Sequence, residues 1–484
     1  MLNVLTGAAS RMGAAVLSGV LIALALKLEP IWPLAWIAPL PLLVAAFRAR
    51  AGEAALLAFV AGVIQGLGSV QYYVATNGAV GGVALIGVMG VLWMIVIIVT
   101  RALVVRSRHW LTTLAYPAAW AALDTVLAAV SPHGTMGSIA YSQMDALPVI
   151  QIASVAGTAG VVFLMSIPVS VLAIALSEAK PLQPSVAYGL PVLILLGALT
   201  YGVVRLATPS ESTPITVGLV AIDRSPEQNA GESGNLIWDH YDAAADQLAA
   251  QGAQVIVFPE TIASIDTAKQ APLAQRLGGK AREHSAYLLA GVGTEDGELK
   301  RNRAWVFGPS GKLVADYTKH HLVPGAESPE ISPGNGYSVF RVKDFDVGVA
   351  ICKDMDFPAL SRHYGAAGVK ALLVPAFDFK VDGWLHSRMA VMRGVENGFS
   401  VVRSAEDGLV SVSDPYGRIL SEAPSQAAPG AIVVTTAKLS RAVPTLYTAI
   451  GDLFGYLCLG SLVLMSGFLL ARRRWQLHSQ SAPV

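Results

Sequence analysis

Eight apolar stretches dominate this 484-residue chain and limit what it can fold into: Met12–Leu28, Trp32–Phe47, Ala54–Tyr73, Val80–Thr100, Leu111–Val130, Ile150–Leu176, Ala187–Leu206 and Tyr447–Leu470. A helix rises about 1.5 Å per residue, so roughly 20 apolar residues match the ~30 Å hydrocarbon core of a bilayer. Runs of this length are too long for the core of one soluble domain. They read as membrane spans, seven before a long polar region and one after it. The second is the least regular, because Pro33, Pro39 and Pro41 interrupt it.

Composition agrees. Only 14% of residues are charged, against about 25% in soluble domains, and mean hydropathy is +0.54. The net charge of +1 conceals an uneven distribution, with most acidic residues between Glu211 and Glu422. With the N-terminus inside, Arg11, Arg48, Arg50, Arg101, Arg106, Arg108, Lys180 and Arg472 to Arg474 all fall on the cytoplasmic side, while the opposite loops hold Lys27 and His133 but no arginine. By the positive-inside rule the polar region is extracytoplasmic. The chain thus reads as a membrane bundle over residues 1–208, a water-facing domain over 209–443, and a final span with a cytoplasmic tail over 444–484.

Within the polar region, short apolar runs such as "ITVGLVAI", "QVIVFPE", "VGVAICKD", "KALLVPAF" and "FSVVRSAE" alternate with helical patterns at Trp238–Ala250, Ala271–His284 and Gly383–Asn397. The turns "GPSGK" and "DPYGR" precede β-branched runs and predict hairpins. "GVGTEDG", from Gly291, reads as a turn. The pattern predicts a layered α/β domain with a mixed sheet.

Three residues end apolar runs: Glu260 after "VIVFP", Lys319 after "LVADYT" and Cys352 after "VGVAI". Strand ends are where distant parts of an α/β chain converge. A thiol becomes a nucleophile when a base takes its proton and a donor stabilises the oxyanion that forms. A carboxylate and an ammonium supply those two functions. Taken singly, each has a plainer reading: a small core cysteine, a helix N-terminal carboxylate, a solvated loop lysine. Together they make a complete acyl-transfer set. The other cysteine, Cys458, lies in the last apolar run, and no disulfide to Cys352 is expected.

The order "FPET", "YTKHHLVPGAE", "ICKDMDFP" resembles the nitrilase superfamily, whose members use a Glu-Lys-Cys triad in a four-layer αββα sandwich. Over nearly its whole length the chain is similar to that superfamily's membrane-embedded branch, the apolipoprotein N-acyltransferase family. Tyr141–Leu164 resembles a membrane-side segment of the branch, and His386–Ile419 the region beyond its nucleophile. The resemblance implies that Glu260 is the base, Lys319 the oxyanion stabiliser and Cys352 the nucleophile. It also implies supporting roles for Glu327, Asn302, Asp354 and Trp238. The implied substrates are a phospholipid acyl donor and the amine of a diacylglyceryl-cysteine lipoprotein, used at the periplasmic face of the inner membrane. The implied alternative is a tethered amidase with water as acceptor. The chain departs from the family at three places: Lys353 and Asp354 stand where tyrosine and glutamate are usual, "PGAE" replaces "PFGE", and "VAIDRSPEQ" replaces a "QGN"-type opening.

No cofactor or metal is expected, because the nine histidines show no ligand spacing and Lys319 adjoins the "HH" pair. "ARRRWQ" reads as a cytoplasmic stop signal, so no nucleic-acid partner is expected.

Overall fold

The computed structural model describes residues 7–208, 212–223, 234–426, 430–440 and 443–480. The chain forms two compact units. One comprises Met1–Val130, Gly137–Arg205 and Ile450–Val484; the other comprises Ser131–Met136 and Leu206–Ala449.

The first unit is helical. Among the described residues, five of its helices are long and apolar enough to cross a membrane: Ala8–Ala25, Val70–Arg106, Trp110–Val130, Ala153–Ala175 and Pro184–Ala207. Three more apolar helices, Trp32–Arg48, Ala51–Leu67 and Leu453–Leu469, are shorter. The eight expected runs are therefore all helical, but length alone does not establish eight spans. Proline explains the second run, which divides into a 3-10 turn at Trp32–Trp36 and a helix at Leu40–Arg48. The boundary expected between Tyr73 and Val80 also moves. The third helix stops at Leu67, and residues from Val70 join the fourth, which bends at Gly78 (φ 69°). Side chains such as Leu193, Val203, Val204 and Leu464 are more than half exposed. A layer of large apolar side chains on a helical unit is the surface of a protein solvated by lipid.

The second unit is built on strands β1 (Ser212–Ala221), β2 (Val255–Val257), β3 (Ser264–Asp266), β4 (Tyr287–Asp296), β5 (Leu299–Phe307), β6 (Leu313–Thr318), β7 (Ser338–Val342), β8 (Phe345–Val349), β9 (Ala371–Phe377), β10 (Ser400–Glu406), β11 (Leu409–Ser413), β12 (Ile419–Pro424) and β13 (Ala431–Ser440). One sheet has the order β13-β1-β2-β4-β5-β6 with β3 beside β4, and the other β12-β11-β10-β9-β8-β7. Both mix parallel and antiparallel pairs.

Alternation along each strand assigns the layers. Val217, Leu219, Val257, Leu289 and Val306 point between the sheets, where they meet Val347, Val349, Leu373, Val402 and Val412 of the other sheet. Their neighbours Ile256, Phe258, Leu288, Ala290 and Phe307 face outward against helices Gly234–Ala250 and Thr267–Glu283. On the far side, Leu372, Val374 and Val401 pack on Leu360, Tyr364 and Ala390 of helices Pro358–Ala366 and Gly383–Asn397. The result is four layers, αββα. Central strands covered on both faces carry the unbroken apolar runs seen in the sequence.

The hairpins predicted at "GPSGK" and "DPYGR" join β5 to β6 and β11 to β12. The turn expected from Gly291 is not one. Residues 291–296 continue β4, paired residue by residue with β5, and the reversal falls at Gly297 (φ 65°).

Candidate active site

Glu260 follows the short strand β2 at a tight corner. Thr261 beside it has φ 45°. A Cβ on Gly291 of β4 would lie 2.4 Å from Pro259 O and 2.6 Å from Glu260 Cα, so only glycine lets β4 pass this corner. Glu260 N donates to Ala376 O (3.3 Å), fastening the corner to the end of β9 in the opposite sheet.

Lys319 directly follows β6, and its backbone N–H donates to Asn302 O (2.9 Å). Its Nζ donates to Glu260 Oε1 (2.7 Å) and Glu327 Oε2 (2.9 Å). Asn302 Nδ2 donates to the same two carboxylates, at 2.6 Å to Glu260 Oε1 and 2.9 Å to Glu327 Oε1. Val323 N also donates to Glu327 Oε2 (2.6 Å). One ammonium thus lies between two carboxylates, 1% exposed, with an amide completing the square. The "PGAE" departure is absorbed by Gly325, whose φ of 81° turns the chain ahead of Glu327.

Cys352 opens a 3-10 turn, Cys352–Asp356, beyond β8. Its φ of 44° is left-handed, a conformation that costs a non-glycine residue about 1 kcal/mol or more and persists only where the surroundings enforce it. Sγ donates to Phe377 O, 3.5 Å away at the end of β9.

Asp354 supplies part of that enforcement. Its carboxylate turns into the protein and accepts from Ile351 N, Tyr317 Oη, His320 N, His321 N and His321 Nδ1, at 2.7 to 3.2 Å. It therefore ties the nucleophile's turn to the segment carrying Lys319.

Glu260, Lys319, Cys352, Asn302, Glu327 and Trp238 all line one cavity of about 1160 Å³, whose apolar wall includes Ile262, Leu273, Phe377 and Phe379. Of the seven residues singled out in the sequence, Asp354 is the one that acts from behind this wall. Trp238, 4% exposed, contributes an aromatic face from helix Gly234–Ala250. The opening departure "VAIDRSPEQ" runs from Arg224 onward into residues outside those described.

The electrostatics follow from burial. Burial pushes the Cys352 thiol well up, the Glu260 charge pushes it further, and Lys319 offsets this in part. Burial likewise raises Glu260 against the pull of Lys319, with Glu327 adding to the rise. For Lys319, burial works against the charged form, but the charges of Glu260, Cys352 and Glu327 outweigh it and hold the ammonium above the ordinary lysine range. Glu260 Oε2 and Asn302 Oδ1 are buried without a hydrogen-bond partner among the described residues. Buried polar atoms are normally paired, so these two acceptors are poised for something that enters.

Sequence reasoning missed the support behind Phe377. Arg403 (2% exposed) binds both oxygens of Asp378, at 2.9 and 2.5 Å, and His386 Nδ1 lies 3.1 Å from the same carboxylate. The signal available was an arginine inside the apolar strand "FSVVRSAE".

The carbon-nitrogen hydrolase family profile matches residues 229–445, and the profile of the apolipoprotein N-acyltransferase N-terminal domain matches residues 18–171. An apolipoprotein N-acyltransferase of Geobacter metallireducens is 28% identical over 96% of this chain and 96% of its own. An omega-amidase of Homo sapiens is 33% identical over 38% of this chain and 76% of its own. Among solved structures, an amidase from Nesterenkonia sp. is 23% identical over 48% of this chain and 93% of its own, with a TM-score of 0.39. The chain belongs to the carbon-nitrogen hydrolase superfamily and is, over nearly its whole length, a homologue of apolipoprotein N-acyltransferase.

Proposed function

We propose that the chain transfers an acyl group from a phospholipid to the N-terminal amine of a diacylglyceryl-cysteine lipoprotein, with Cys352 as nucleophile, Glu260 as base and Lys319 as oxyanion donor. The observation that carries this reading is the geometry around Glu260: one carboxylate oxygen is held by Lys319 and Asn302 while the other is buried, without a partner among the described residues, and the residue lines the same cavity as Cys352.

The resting thiol is protonated, since its pKa is raised. When an ester carbonyl enters, Glu260 takes the Sγ proton as sulfur bonds to the carbonyl carbon. Lys319 has three N–H donors, two of them engaged by Glu260 and Glu327, and the third is available to the oxyanion. Collapse of the tetrahedral intermediate expels the lysophospholipid alkoxide, which takes the proton from Glu260 and leaves a thioester. The amine then attacks that thioester, Glu260 accepts the proton the nitrogen loses, and collapse returns the sulfur to Cys352 as the thiol with the amide released. Proton and electron pair balance across the two steps.

The lipid substrates are consistent with the rest of the chain. A cavity of about 1160 Å³ exceeds the ~300–1,000 Å³ of ordinary small-molecule sites. Extracting acyl chains into water would cost about 0.8 kcal/mol per CH₂, which a chain carrying apolar helices avoids. We assign the catalytic unit to the periplasmic side from the arginine distribution. Similarity of this unit to an omega-amidase favours the second reading, in which water resolves the acyl-enzyme.

One experiment separates them. Phospholipid alone should load Cys352 with one acyl chain, seen as a mass increase on the intact protein and removed by hydroxylamine. A diacylglyceryl peptide should then discharge it as N-acyl peptide. Free fatty acid released at the same rate with and without peptide would establish the hydrolase instead.

A further inference from the structure

In chain order Ser131–Met136 lies between two helices of the helical unit, yet it belongs to the unit that carries Cys352. Three of its residues, His133, Gly134 and Thr135, meet one short element, the turn Cys352–Asp356. Thr135, 3% exposed, donates to Asp356 O through both its backbone N (2.9 Å) and its Oγ1 (2.8 Å). Gly134 has φ 51°, and a Cβ there would lie 2.4 Å from the same carbonyl oxygen, so glycine is required for the approach. The third contact involves Lys353, the residue that departs from the family. Its Nζ is 3.1 Å from His133 Nδ1 and 3.2 Å from Asp356 Oδ2, with the side chain 4% exposed and the ammonium over the Phe357 ring.

An ammonium has only donors, so His133 Nδ1 must accept, which requires a neutral ring protonated on Nε2. Burial and then the Lys353 charge lower the His133 pKa, with Asp356 opposing, and this favours that neutral form. Two of the ammonium's three donors go to His133 and Asp356, and Lys353 is absent from the lining that Cys352 shares with Glu260 and Lys319. It therefore acts on the thiol through the backbone of the turn.

We propose that His133, Lys353 and Asp356 form a positioning clamp by which the segment 131–136 holds the Cys352 turn in its left-handed conformation. Asp354 fixes one side of the turn to the lysine segment, and the clamp fixes the other. The clamp rests on the reading of Cys352 as nucleophile.

The test uses the full chain in detergent or nanodiscs, with phospholipid loading of Cys352 followed by intact mass. Lys353→Met and His133→Ala should each lower the maximal loading rate by about 10- to 100-fold, the range expected when a reacting atom is misplaced by about 1 Å. The lipid concentration at half-maximal rate should stay unchanged. The double variant should lose no more than the worse single one, and Lys353→Arg, which can still donate to both partners, should recover most of the rate. Alkylation of Cys352 by iodoacetamide should fall in parallel, and because it needs no lipid, a wild type that is alkylated but never loads would sink the acyl-transfer reading while leaving the clamp open to this measurement. A Lys353→Met protein that loads at the wild-type rate, or one whose half-maximal lipid concentration rises at unchanged maximal rate, overturns the clamp; so does failure of Lys353→Arg to recover activity.

Discussion

Asp354→Asn isolates the anchor on the lysine side of the turn. Oδ1 accepts from His320 N (3.2 Å), His321 N (2.9 Å) and His321 Nδ1 (3.1 Å); Oδ2 accepts from Tyr317 Oη (2.7 Å) and Ile351 N (3.0 Å). Asparagine has the same shape but replaces one acceptor by an NH₂. With that nitrogen in the Oδ1 place, two backbone N–H groups lose their acceptor. In the Oδ2 place it opposes only Ile351 N–H, because the tyrosine hydroxyl can rotate and accept. The second arrangement is cheaper. It strands one buried donor, at about 1–3 kcal/mol, and weakens the remaining bonds by removing their charge assistance, for a total of roughly 2–4 kcal/mol. Ile351 directly precedes Cys352, so the cost falls on the turn whose φ is already left-handed. A shift of about 2 kcal/mol lowers the ratio of productive to relaxed turn about 30-fold. Loading of Cys352, normalised to folded protein, should therefore fall, by up to about 30-fold for each 2 kcal/mol, and the thermal unfolding midpoint of the variant should fall as well. A variant that loads at the wild-type rate per folded molecule would refute the anchoring role.

Cys352→Ala should abolish loading while leaving the protein inserted, whereas Cys458→Ala should be nearly silent; more than a few per cent residual turnover in the first would reject the nucleophile. A reporter active only outside the cytoplasm should be on when fused after Ser310 and off after Arg474, and the reverse would place the catalytic unit in the cytoplasm. At His386, burial opposes the charged form, but the hydrogen bond to Asp378 and the charges of Asp378, Asp382 and Asp356 outweigh it, so the folded pKa lies above the ordinary 6.5. Its stabilising contribution is complete below pH 6.5 and is lost as pH rises through the folded value. His386→Asn should therefore cost more stability at pH 6 than at pH 9, and equal losses in thermal unfolding at the two pH values would reject the ion pair.

The parts of this protein legible in the sequence were those encoded locally. Apolar runs marked helices and strands, "GPSGK" and "DPYGR" marked hairpins, and Glu260, Lys319 and Cys352 were conspicuous because each ends an apolar run with a functional group. "GVGTEDG" misled because Gly291 and Gly293 serve a strand: Gly291 admits the Glu260 corner, and a Cβ on Gly293 would lie 2.5 Å from Ser264 Oγ of the neighbouring β3. The role of Asp354 was hidden because its partners lie more than thirty residues away, except for Ile351. His133 was illegible for the same reason, being 220 residues from Lys353. Long-range polar partners carry no periodicity, and only the folded chain brings them together.

The arrangement of one ammonium between two carboxylates has a consequence for when the nucleophile is active. A lone lysine beside a cysteine would favour the thiolate at rest. Here Lys319 is shared with the charges of Glu260 and Glu327, and burial outweighs its pull, so the thiol stays protonated and Glu260 is raised as well. A carboxylate raised in this way is a better base toward the thiol than an ordinary one, and transfer is favoured when an ester carbonyl supplies an oxyanion for the ammonium's remaining donor. Glu327 is the adjustable part, since its charge pushes Glu260 upward. Glu327→Gln keeps an oxygen for Lys319 but removes that charge, so Glu260 should hold its proton less tightly. The base must be deprotonated to act, and loading rate falls as pH drops through the Glu260 pKa. The acid limb of the loading rate should therefore move to lower pH in the variant, whatever its plateau. Loading rates measured between pH 4 and 8 on both proteins check this; an acid limb at the same pH or higher would show that Glu327 does not set the basicity of Glu260.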